Sequence, residues 1–69
     1  MSRMVASERN ASLHRLEREV ERLSEQQSEA MRMARFAGMT LREVKEYGAR
    51  HRRIIHLLKE MAMLDNQRS

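Results

Sequence analysis

The residues that could do chemistry in this sequence are three histidines, ten carboxylates and one dense basic run, Arg50-His51-Arg52-Arg53, with His56 close behind. A helical metal site needs two ligands one turn apart, at i and i+4. His51 and His56 are five apart and point in different directions, and His14 is far from both in sequence. The absence of cysteine excludes thiolate ligands, a thiol nucleophile and disulfides. Neither a Ser-His-acid spacing nor a glycine loop for phosphates is present. The glutamates stand among other charged residues, without the apolar surroundings that turn a carboxylate into a proton donor. These residues describe a non-catalytic chain with no metal and no cofactor.

The basic run carries the one chemical signal that remains. Arginine forks match phosphate, so Arg50, Arg52 and Arg53 are the candidate nucleic-acid contacts, with Arg15, Arg18 and Arg22 behind them. Single-strand binders interleave aromatic side chains for base stacking, and aromatics make up 3% of this chain. Zinc-finger, homeodomain and RNP patterns are absent. The competing role for these arginines is to neutralise an acidic stretch elsewhere in the fold. Net charge is +4, from 14 basic and 10 acidic residues, an excess that bears on solubility and steering more than on function.

Those side chains need elements to hold them, and the composition is helical. Proline is absent, charged residues make up 35%, and strong helix formers dominate. In the first half, Leu13, Leu16, Val20, Leu23, Gln27, Ala30, Ala34 and Ala37 alternate by three and four. That is the spacing of a coiled-coil seam. This predicts a first helix from about residue 8 to 37, capped by Ser7 or Ser12. Residues 1–10 show no clear stripe and are expected to be flexible or frayed.

Gly38 predicts the break, because glycine accepts the left-handed conformation that closes a helix. Thr40 and Glu43 follow as a T-x-x-E capping box, with Met39 and Val44 at the positions of a hydrophobic staple. The corner is therefore placed at 38–40. A second helix is predicted over 41–66, and the hairpin as a whole over 11–67. The apolar positions taken for its seam are Leu41, Val44, Tyr47, Ile54, Ile55, Leu58, Met61 and Ala62. Counting outward from the corner pairs Leu23 with Ile55, Val20 with Leu58, and Leu16 with Ala62. Gln27 then meets His51 in a polar layer that histidine protonation could make pH-sensitive. The acidic middle of the first helix (Glu17, Glu19, Glu21, Glu25, Glu29) lies beside the basic middle of the second. On this seam Leu58→Ala is the substitution expected to unfold the hairpin.

The expected fold is all-α: a two-helix antiparallel hairpin dimerising into a four-helix bundle. A chain this short buries about 60% of the surface it exposes when unfolded. Its core is marginal without a staple or a second chain. Leu57, Met61, Met63 and Leu64 are the predicted second interface. Seven methionines, among them Met31, Met33 and Met39 at the corner, suit pliable packing surfaces. In outline the chain resembles the small hairpins that pair into four-helix bundles, as in the plasmid RNA-binding Rop family, and those that serve as co-chaperones in type III secretion. The segment Gly38-Met39-Thr40-Leu41-Arg42-Glu43-Val44 resembles the opening of a helix in MerR-type regulators.

The expected function is protein–protein interaction, as a homodimeric adaptor, co-chaperone or regulator that also accepts a heterologous helix. The alternatives are a nucleic-acid-binding hairpin dimer and a purely structural oligomerisation element. No apolar run reaches the ~18 residues that span a bilayer, so no membrane role is expected, and the cytoplasm is the expected compartment.

Overall fold

A computed structural model describes residues 5–66. Two helices account for nearly all of them: α1 over Ala6–Ala37 and α2 over Leu41–Asn66. They fold back on one another as a hairpin with extents of 49 × 17 × 15 Å. The long dimension is that of α1 itself, since 32 residues at about 1.5 Å each give about 48 Å.

α1 begins at Ala6, so residues 6–10 of the predicted frayed segment are helical; residues 1–4 lie outside the described residues. Neither Ser7 nor Ser12 caps it. Val5 stands at the cap with extended backbone and no side-chain bond, and its carbonyl accepts the N–H of Arg9 at 3.0 Å. Ser12 instead accepts a hydrogen bond from Arg15 at 3.3 Å. At the other end Gly38 has φ +75° and its N–H donates to the Ala34 carbonyl at 2.9 Å. That conformation carries a steric penalty for any residue with a Cβ.

The capping box forms in full. The Glu43 N–H donates to Thr40 Oγ1 at 3.2 Å, and the Thr40 N–H donates to Glu43 Oε1 at 3.0 Å. The Thr40 N–H, and then its hydroxyl, hold the Glu43 carboxyl below the ordinary carboxylate pKa. A depressed folded pKa stabilises the hairpin above the ordinary carboxylate range, and that stabilisation is lost as pH falls through the lowered value. Thr40→Ala removes the cap hydroxyl and is expected to cost about 1 kcal/mol. Its effect on the acid limb of a urea-midpoint-against-pH profile should be partial, because the backbone N–H at this position, the larger cause of the lowered Glu43 pKa, survives the substitution. An unchanged midpoint at neutral pH would show that the box is not supporting α2.

The α1 stripe is where its spacing puts it. Leu23 and Gln27 are buried, and Leu13, Leu16, Val20, Ala30 and Ala34 are half-buried; Ala37 is exposed. The α2 seam differs from expectation. Leu57 is 1% exposed, whereas Leu58 is 48% and Ile55 41% exposed. The line that faces α1 runs through Tyr47, Arg50, Ile54, Leu57, Met61 and Leu64, all buried or half-buried. Tyr47, Ile54 and Met61 lie in the seam as predicted, but Arg50, Leu57 and Leu64 complete it in place of Leu41, Val44, Ile55, Leu58 and Ala62, which sit one residue, about 100°, further round. Leu57 is the centre of the hairpin's interior, not of a second interface.

The polar layer is corrected in the same way. His51 is exposed. Gln27 instead accepts from Arg50 Nε at 2.7 Å and donates to the Tyr47 carbonyl at 3.0 Å. Glutamine has no ionisable group, so this layer does not depend on histidine protonation.

Candidate protein-interaction surface

Three parallel rows of α2, each following a spacing of three and four, run from the seam round one side of the helix. The first row packs on α1. One residue further round lies the second: Leu41, Val44, Gly48, His51, Ile55, Leu58 and Ala62. Its large apolar members are exposed, Leu41 at 71% and Val44 at 50% alongside Ile55 and Leu58. One residue further again lies a third row that is largely basic: Arg42, Lys45, Ala49, Arg52, His56 and Lys59. Arg42 is held by Glu46 at 3.4 Å and His56 by Glu60 at 2.8 Å. Lys45, Arg52 and Lys59 make no ion pair among the described residues.

Gly48 lies midway along the apolar row. Glycine inside a helix costs about 1 kcal/mol relative to alanine. Nothing in the hairpin calls for it, because a Cβ there would meet Arg52 Nη1 at 3.5 Å, an ordinary contact.

On α1 the residues beside this apolar row are Glu17, Glu21, Ser24, Ser28 and Met31. Their placement follows from Glu19 and Arg53, which meet at 3.8 Å on the opposite side of the seam. Glu21 and Glu25, like the free lysines of α2, have no ion-pair partner among the described residues. The expected ladder between an acidic α1 and a basic α2 is therefore sparse. Arg53 reaches Glu19, but Glu17 pairs with His14, Glu29 with Arg32, and Arg22 with Glu19, all within α1.

The other predicted surface is placed more plainly. Leu57, Met63 and Leu64 line an open groove with Leu16, under a polar rim of Arg15, Glu19, Arg53 and Glu60. Leu57 forms its floor, Met61 and Leu64 are half-buried in the seam, and Met63 is 64% exposed. The groove therefore offers one free apolar side chain, against four in the outer row. Sequence reasoning had placed Leu41, Val44, Ile55 and Leu58 inside. It also missed Phe36, which is 86% exposed beside the corner, near Met33 at 54% and Met31 at 47%. The one available signal was that Phe36 falls off the α1 stripe.

The three candidate phosphate-binding arginines do not converge. Arg50 is drawn into the seam by Gln27, Arg53 lies over Glu19, and Arg52 belongs to the outer basic row. Among the described residues no group of three His, Asp or Glu side chains is placed to hold a metal ion, and no helix is long and apolar enough to cross a membrane. Comparison with protein-family models, with curated proteins and with solved structures found no match.

Proposed function

We propose that this chain acts without catalysis, by protein–protein contact, through the outer apolar row of α2. Its first partner is a second copy of itself, giving a dimeric adaptor, co-chaperone or regulator of the reducing cytoplasm. The observation that carries this reading is the balance of apolar surface. Leu23 and Leu57 are the buried apolar side chains of the described chain, while Leu41, Val44, Ile55 and Leu58 stand exposed along one line of one helix. Isolated exposed leucines are ordinary, but an aligned set on one face marks a contact surface.

A paired substitution, Ile55→Asp with Leu58→Asp, tests it. Both side chains are about half exposed, so the hairpin interior is left intact. Light scattering is expected to show the mass of two chains for wild type and of one for the variant. A variant that keeps the wild-type mass would remove the outer row from any role in association.

Phosphate binding is the second reading, favoured by the basic row Arg42, Lys45, Arg52, His56 and Lys59 along the same helix. It requires a gel shift that collapses with added salt.

A further inference from the structure

The corner end of the hairpin carries the two most exposed large apolar side chains among the described residues. Phe36, in the last turn of α1, is 86% exposed, and Leu41, at the start of α2, is 71% exposed. Met33, one turn before Phe36, is 54% exposed. Phe36 and Met33 belong neither to the seam nor to the outer row of α2. We propose that this end docks on an anionic lipid surface, with Phe36 inserted among the headgroups. The proposal goes beyond the dimer reading and does not depend on it.

The same end is cationic. Residues 30–42 hold Arg32, Arg35 and Arg42 and no carboxylate. Glu29 pairs with Arg32 at 2.9 Å and Glu46 with Arg42 at 3.4 Å. In each pair the arginine is the member nearer the corner in sequence. Glu43, the carboxylate closest to the corner, accepts the Thr40 N–H in the capping box. Arg35, next to Phe36, makes no ion pair among the described residues. Basic residues beside apolar ones are what an anionic bilayer surface attracts.

The spacing along α1 fits the depth of such a surface. Arg32 lies four residues, about 6 Å, behind Phe36. Apolar groups of surface-bound helices reach about 5–10 Å into the boundary between headgroups and acyl chains. With Phe36 at that depth, Arg32 and Arg35 reach the phosphates on their long stems. Among the described residues no helix is long and apolar enough to cross a bilayer, and docking on its surface does not require one.

A partner protein is the competing occupant. Specific protein interfaces take about 800 Å² per partner. The hairpin measures 17 × 15 Å across its long axis, so its end section supplies roughly a third of that area. The flank of α2 has room for a protein; the end suits a fluid surface into which single side chains sink.

Co-sedimentation of the full chain with vesicles is the test. Vesicles of equal parts phosphatidylglycerol and phosphatidylcholine are expected to bind it about tenfold or more tightly than phosphatidylcholine alone. Phe36→Ser is expected to weaken that binding about tenfold and to leave the helical circular dichroism unchanged. Phe36→Trp gives the chain its one tryptophan, and its emission should shift to the blue on the anionic vesicles. A wild type that stays in solution with anionic vesicles overturns the proposal and leaves the end to a protein. Phe36→Ser binding as wild type does, or a bound Phe36→Trp chain with unshifted emission, also overturns it. The contact would then be adsorption through the basic row of α2.

Discussion

Leu57→Ala is expected to unfold the hairpin, and Leu58→Ala, one residue away, is not. Leu57 is 1% exposed and sits at the centre of the seam opposite the Leu16–Val20–Leu23 stretch. Truncating a buried leucine costs about 2–5 kcal/mol, through lost transfer energy and the cavity left behind. The apolar interior among the described residues consists of two buried leucines, Leu23 and Leu57, under a cover of half-buried neighbours. So small a core cannot absorb that loss. Helical circular dichroism of Leu57→Ala should be strongly reduced at every protein concentration. Leu58 is 48% exposed, so its truncation acts on association, and its effect should shrink as protein concentration rises. Equal loss of helix in the two variants at high concentration would mean that the α2 seam is misassigned.

The second large effect is expected in the polar layer. Gln27 is buried, and its carbonyl oxygen accepts the Nε–H of the half-buried Arg50 at 2.7 Å. Gln27→Leu leaves that donor facing an apolar wall. A buried polar group left without a partner costs about 1–3 kcal/mol, more if charged. Replacing both, as Gln27→Leu with Arg50→Leu, removes the unpartnered group and fills the layer with apolar volume. The double variant is expected to match or exceed wild type in its urea midpoint, as paired polar groups exchanged together often do. The single variant should fall well below both. If the two single losses simply add in the double variant, the Gln27–Arg50 contact carries no coupling. The layer would then contribute nothing to register either.

α1 and the corner were legible in the sequence because each carried one unambiguous signal. The α1 stripe has a single set of positions spaced by three and four, and Gln27 is its sole polar member. Gly38 and the Thr40–Glu43 box stop one helix and start the next within a few residues, and both adopt the geometry their types require. α2 was not legible at the same level. It carries two apolar rows a single residue apart, Tyr47–Ile54–Leu57–Met61–Leu64 and Val44–Ile55–Leu58–Ala62. Hydrophobicity does not separate them, because the first passes through Arg50 and the second through Gly48 and His51, and the predicted seam drew on both. What decides for the first is invisible to periodicity. Gln27 supplies an acceptor for the guanidinium, and a long arginine stem can lie in a seam while its head reaches outward. The error then carried over to the site. With Leu58 and Ile55 assigned to the interior, Leu57 and Leu64 were left over as the apparent interface, whereas Leu57 is buried, Leu64 is half-buried, and Ile55 and Leu58 are exposed. The exposure of Phe36 had no periodic signature beyond its place off the α1 stripe.

The basic cluster shows the same dependence on rotation. Read as a string, Arg50-His51-Arg52-Arg53 is one patch. On the helix its members point into the seam, along the apolar row, along the basic row and toward Glu19. Adjacent residues on a helix do not share a face, so a run of basic residues is no footprint until the seam is known.

The claim that α2 presents an interaction face is tested most directly by the mass of the wild-type chain in solution. Light scattering over a dilution series, with circular dichroism on the same samples, gives both association and fold. The mass of two chains is expected at high concentration, with helix and dimer lost together on dilution. A fully helical chain that keeps the mass of one copy throughout would contradict it.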